Sequence, residues 1–178
     1  APQTVSTNTS VEGVTFACVA TSAGGETTDA VTIKRDATPP MVTYAGNAGN
    51  YTVDQTVAIT CTPSDDLSGL ASSTCVTING GAYSFSTGAN TYSATATDAA
   101  GNVGSATTTF TVTVTSGGLC SLVQRWVSNG GVANSLCAKL DQASYGAFRN
   151  ELAAQSGKKV SDANAAVLLR LVSVLDPQ

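Results

Sequence analysis

Along Val31–Asp36, and again from Met41 to Thr115, apolar and polar positions alternate in short runs. "VTIKRD", "TVAITCTP", "CVTI", "AYSFS", "NTYSATATD" and "ATTTFTVTVT" place β-branched or aromatic residues at period two. That period predicts half-buried strands. Between the runs lie "GNAGN", "DDLSG", "NGG", "STGAN" and "DAAGN", whose Gly, Asn, Asp and Ser supply turn geometry. Strands at this short, regular spacing predict a β-sandwich. Tyr92, Ala94 and Ala96 form one face of a strand, "DAAGN" turns the chain, and Phe110, Val112 and Val114 line the returning strand.

At Ser116–Gly118 the period changes. Leu119, Leu122, Val123, Trp126 and Val127 recur at i, i+3, i+4, i+7 and i+8, an amphipathic helix. Val132, Leu136, Cys137 and Leu140 mark a second helix, Phe148 and Leu152 a third. Ser161 is a good N-cap for a fourth, with Asp162 at its positive end and Leu168, Leu171, Val172 and Leu175 as its buried stripe. The pattern therefore predicts a multidomain β + α chain: a β-sandwich followed by a small four-helix domain. The expected boundaries are a linker at 116–118 and a helical domain at 119–178. A helical unit of that size is near the lower limit for independent folding.

One segment is duplicated. "TFACVATSAGGE" (Thr15–Glu26) aligns without a gap on "TYSATATDAAGN" (Thr91–Asn102), 76 residues later. If Thr91–Thr115 is the last hairpin of a sandwich, so is Thr15–Asp36. A hairpin alone buries no core, and the strands that should precede it are missing here. Residues 1–38 are thus expected to be the C-terminal part of a first repeat, and 39–115 a complete second one. "DATPP" stiffens the junction, because consecutive prolines cannot extend a sheet.

Charge sharpens this division. Residues 1–116 hold two bases (Lys34, Arg35) against eight acids; residues 117–178 hold six bases against four acids. Opposite signs mark two kinds of module. With 11% charged residues and a net charge of −4, nothing invites nucleic acid, which needs a basic surface. No apolar run is long enough for membrane insertion by a helix. Five cysteines without His or Cys-x-x-Cys read as disulfides of an oxidising compartment rather than metal ligands. Two Asn-x-Ser/Thr sequons, Asn8 and Asn50, are also present.

"RDATPP", "VAITCTPSDDLSGLASSTC" and "YSATATDAAGN" resemble the Ig-like repeats of bacterial extracellular and cell-surface proteins. The resemblance implies an Ig-like sandwich that acts as a spacer or adhesive stalk. "LCSLVQRWVSNGGVANSLCAKLDQA" and "AFRNELAAQSGKKVSDANAAVLL" resemble the FIMAH domain, a small helical module of secreted adhesins and hydrolases. Neither resemblance brings a catalytic apparatus.

Cys61 and Cys75 flank "TPSDDLSGLASST". A bond between them would close a loop worth roughly 3 kcal/mol; two reduced core thiols are the alternative. Cys120 and Cys137 lie on the first two helices, as a helix–helix disulfide or as plain packing. Cys18 is left over. In repeats of this kind its partner would lie on an earlier strand, so it is expected to be unpaired or paired externally. Either the chain is cut from a longer protein, or Ala1 is a mature start and neighbouring copies complete the half-repeat.

Asp65, Asp66, Asp98 and Asn102 are the candidate calcium ligands, since calcium takes several hard oxygens. The same residue types also cap their own turns. Without His, Ser/His and Cys/His catalysis is excluded. Neighbouring Asp65 and Asp66 point to opposite sides if extended and make a poor glycosidase pair. No cofactor and no catalytic residue is expected. The region reads as a non-catalytic C-terminal part of a large secreted or surface-attached bacterial protein, whose upstream part could be a hydrolase. Its expected partners are that upstream polypeptide or neighbouring copies, and glycans. A carbohydrate-binding accessory would need exposed aromatics, for which Tyr44, Tyr51 and Tyr83 are the β-region candidates and Trp126 the helical one. A filament subunit completed by strand exchange is the other alternative.

Overall fold

The computed structural model describes residues 2–177. Nine strands are followed by four helices. The strands are β1 (Val14–Ser22), β2 (Gly25–Ile33), β3 (Met41–Ala45), β4 (Asn50–Thr52), β5 (Thr56–Ser64), β6 (Leu70–Ser73), β7 (Ile78–Gly81), β8 (Gly88–Asp98) and β9 (Val103–Thr113). The helices are α1 (Ser116–Trp126), α2 (Gly130–Asp141), α3 (Tyr145–Gln155) and α4 (Asp162–Leu175). Strands β1 and β2 form a two-stranded sheet, β3-β5-β7 a three-stranded sheet and β4-β9-β8-β6 a four-stranded sheet. "AYSFS" departs from the expected strand: Ala82–Ser84 is a 3-10 turn. Ala82 is fully buried there and its N–H donates to the Gln55 carbonyl, so period two is broken by a tertiary anchor.

Two compact units emerge. The first comprises the chain up to Tyr44, Cys61–Val76 and Ser93–Thr107; the second comprises Ala45–Thr60, Thr77–Tyr92 and the chain from Thr108 onward. In the first unit, β1 and β2 pair antiparallel from Val14↔Ile33 to Ser22↔Gly25. Val42, Ala94 and Ala96 form a small core with Tyr44, Cys61, Cys75 and Ala106 against it. The alternation of β8 explains this, since small Ala side chains leave room for the cystine. Cys61 and Cys75 are joined, with Cα atoms 5.5 Å apart.

In the second unit Phe110 is the centre. Its ring meets Tyr51 and Phe85 edge to face and stacks on Tyr92, at centroid distances of 5.6, 5.3 and 5.9 Å. Val53, Val57 and Ile59 are fully buried. The helical part of this unit buries Leu119, Leu122 and Val123 of α1, Leu136 and Leu140 of α2, Phe148 and Leu152 of α3, and Leu168, Leu171 and Val172 of α4. These are the stripes that period 3.6 predicts. Cys120 and Cys137 join α1 to α2, with Cα atoms 5.0 Å apart.

Three helix starts are capped by side chains: Thr115 accepts from Gly118 N, Asn129 from Val132 N and Ser161 from Asn164 N. Ser116–Gly118, expected as a linker, is the first turn of α1. A Cβ on Gly118 would meet Asp54 Oδ1 at 3.0 Å and Val53 Cγ2 at 3.2 Å. Glycine stands there for close approach, not for flexibility.

Candidate functional site

Three loops of the first unit bring carboxylates together. Asp36 follows β2, Asp65 follows β5 and Asp98 ends β8. One oxygen from each lies within 4.8 Å of the others. Each carboxylate is positioned by the turn it caps. Asp36 Oδ1 accepts from Thr38 N at 2.9 Å, while Oδ2 accepts from Ser68 Oγ at 2.6 Å and Ser68 N at 3.2 Å. Asp65 Oδ1 accepts from Leu67 N at 3.2 Å and Gly69 N at 2.7 Å. Gly69 takes φ +77°, where a side chain would be strained. Asp98 is 1% exposed; its oxygens accept from Asn102 N and Nδ2, both at 2.8 Å.

Asn102 ties the cluster together, since its Nδ2 also donates to the Asp36 carbonyl at 3.3 Å. Asp66 is exposed on the same loop and lies outside the trio. The position expected of Asp66 is taken by Asp36, which sequence reading missed. Its signal was available in "RDATPP": an Asp two residues before a Thr, ahead of two prolines, is an Asx-turn pattern. The hydrogen bond from the Ser68 hydroxyl, and then that from Thr38 N, hold the Asp36 carboxyl below the usual carboxylate range, against the opposing effect of burial.

A cleft of about 430 Å³ adjoins the cluster, lined among others by Thr9, Ser10, Lys34, Arg35, Asp36 and Ser68. Thr9 N donates to the Arg35 carbonyl at 2.9 Å, and Arg35 N donates to Thr9 Oγ1 at 3.1 Å. This ties the N-terminal segment to the end of β2. Asn8 is engaged as well, its Oδ1 accepting from Ala37 N at 2.8 Å.

Hard oxygens in this arrangement suit a divalent cation, and Asp36, Asp65 and Asp98 are the residues that would hold one. Calcium takes six to eight oxygens, so water would complete its shell. The N–H and O–H donors already on each carboxylate account for the positions of all three.

The aromatic candidates are not exposed. Tyr51 is 5% exposed, Tyr44 packs against the core of the first unit and Tyr83 meets Trp126 edge to face at 4.8 Å. Cys18 is exposed on β1. Lys158 Nζ donates to the Ala154 carbonyl at 3.0 Å, as suits the end of α3.

Residues 35–114 match the HYR domain, an extracellular domain of Ig-like type. The HYR match begins one residue before Asp36 and spans all three carboxylates and the Cys61–Cys75 bond. It points to an extracellular adhesion-type module. Cystines in both units suit that setting. No helix among the described residues is long and apolar enough to cross a membrane. Comparison with curated proteins and with solved structures returns no match.

Proposed function

We propose that this chain is a non-catalytic spacer or adhesive region of a large secreted or cell-surface bacterial protein. It would hold an adhesive or hydrolytic head away from the cell. The HYR match over residues 35–114 carries the reading. Two features support it: the chain lacks His, and backbone and hydroxyl donors already engage each carboxylate of its acidic cluster in turn capping. On this reading residues 39–115 are an Ig-like sandwich, 1–38 the end of a preceding repeat, and 119–178 a FIMAH-like terminal cap. A distinct terminal module covers the last surface of a repeat array.

The test is replacement in the parent protein on its native surface. Residues 35–178 are exchanged for an unrelated folded spacer of equal length. Under the spacer reading, parent activity returns to near its original level. If the exchange leaves attachment or substrate capture lost, the region binds something itself, and the adhesive or carbohydrate-binding role replaces the spacer. The carbohydrate role is less favoured, because Tyr51 and Tyr83 are packed rather than displayed.

A further inference from the structure

The β1–β2 hairpin shows an apolar face to solvent, and the same chain shows what such a face normally meets. Cross-strand hydrogen bonds fix the correspondence between the two hairpins. Thr15 and Thr32 are joined through their hydroxyls at 2.8 Å. Thr91 and Thr109 are joined the same way at 3.1 Å, and Ser93 and Thr107 at 2.9 Å. Superposing these rungs sets Phe16 on Tyr92, Cys18 on Ala94, Ala20 on Ala96, Val31 on Thr108 and Ile33 on Phe110.

Four of these five pairs have opposite fates; in the fifth, Phe16 is half-buried and Tyr92 is 36% exposed. Ala94, Ala96, Thr108 and Phe110 are at most 8% exposed. Val31 is 57% and Ile33 37% exposed, and Cys18 and Ala20 are exposed too. The opposite face of the first hairpin carries Thr15, Thr21, Glu26, Thr28 and Thr32 beside Ala17, Val19 and Ala30, and is the more polar of the two. The apolar face is therefore a core face by sequence and by register.

We propose that this face is covered by a second β-sheet equivalent to β3-β5-β7, supplied by the same polypeptide from the rest of the repeat to which the hairpin belongs. This rests on the reading of the region as part of a repeat array. The chemistry of the occupant follows from what surrounds Ala94: a valine at the position of Val42 and a cysteine at the position of Cys61 or Cys75. Cys18, larger by one sulfur than the alanine at the corresponding position, would face that cysteine.

A second copy of this chain fits less well. Nine-residue strands span about 30 Å, and two side by side are about 10 Å wide, so the face offers roughly 300 Å². Two such faces bury far less than the ~1,000 Å² a specific interface needs. They would also bring Asp29, which shares the face opposite Cys18, against its own copy. A tethered sheet brings no second Asp29 against the first, and its effective concentration, set by the connection, offsets the small area.

Hydroxyl-radical footprinting of the protein as secreted by its natural source tests this, each residue being normalised to its rate in urea. Phe16, Val31 and Ile33 should oxidise at least tenfold more slowly than Val19, which lies on the opposite face and is 52% exposed. The protection should survive hundredfold dilution. Equal rates on both faces would show that the hairpin is bare and overturn the proposal. Protection lost on dilution would assign the face to a second copy and overturn it equally. The footprint does not depend on whether a foreign spacer rescues the parent, so the two readings fail separately.

Discussion

The ring of Tyr83 stands edge-on to the indole of Trp126, with centroids 4.8 Å apart and planes at 89°. The contact joins the 3-10 turn after β7 to the last turn of α1, within one unit. Arg170 Nη2 donates to the Tyr83 carbonyl, and Arg125 Nη2 donates to the Asp54 carbonyl at 3.1 Å. Edge-to-face pairs contribute about 0.5–1.5 kcal/mol beyond their buried area. A double-mutant cycle of Tyr83→Leu and Trp126→Leu should return a coupling of that size, measured by urea unfolding followed by far-UV circular dichroism. A coupling near zero would mean that the edge-to-face geometry adds nothing beyond the area the two rings bury. Trp126 is the only tryptophan, so Tyr83→Leu should also shift its emission to the red.

A second prediction concerns close backbone approach. A Cβ on Gly104 would collide with the Pro40 carbonyl oxygen. Backbone cannot rotate aside as a side chain can, so the strand itself must shift. Gly104→Ala should cost about 2–3 kcal/mol, the upper part of the overpacking range, read as a lowered thermal midpoint. Gly24→Ala, whose Cβ would meet only Ser22 Oγ at 3.7 Å, should change little.

These glycines mark where sequence reading succeeds and fails. Period two found β5, β8 and β9, and period 3.6 found every helix, because each element keeps one face buried over many residues. Ser161 was legible as a cap because capping is local. Gly118 was read as linker, since a glycine's sequence neighbours do not reveal that Asp54 and Val53 lie against it. Asp36 was missed for the same reason. Its partner Ser68 is 32 residues away, and only tertiary structure joins their loops. Asp66 neighbours Asp65 in sequence, but adjacent residues leave a chain in different directions.

The acidic cluster makes stability depend on pH. Asp36 has its carboxyl lowered by the Ser68 hydroxyl and Thr38 N–H. A lowered folded value means that the unfolded chain binds the proton first. The stabilisation is then complete above the ordinary Asp value of about 3.9 and is lost as pH falls through the lowered value of Asp36. Thermal midpoints of the wild type and Asp36→Asn should differ by a constant amount above about pH 5 and converge in stronger acid. A gap that stays open at the acid end would place the contribution of Asp36 in its shape rather than its charge. Asp65→Asn gives the companion result. It keeps the Oδ1 acceptor for Leu67 N and Gly69 N while removing one of three like charges. It should be neutral or stabilising by roughly 0.5 kcal/mol, less so in high salt.

The two cystines offer a comparison within one molecule. Cys61–Cys75 and Cys120–Cys137 span sequence separations of 14 and 17. In the chain-entropy account, loops of this length are each worth about 3 kcal/mol and differ by only roughly 0.2 kcal/mol. Their surroundings are unlike: the first lies against a small core of Val42, Ala94 and Ala96, the second clamps two helices. Paired Cys→Ala variants, one pair at a time, should therefore lose similar stability in urea titration if loop closure dominates. A markedly larger loss for Cys120/Cys137 would assign the excess to the helical part, whose short helices depend on packing for their stability. A larger loss for Cys61/Cys75 would assign it to the cavity left against the two alanines, which are too small to fill it.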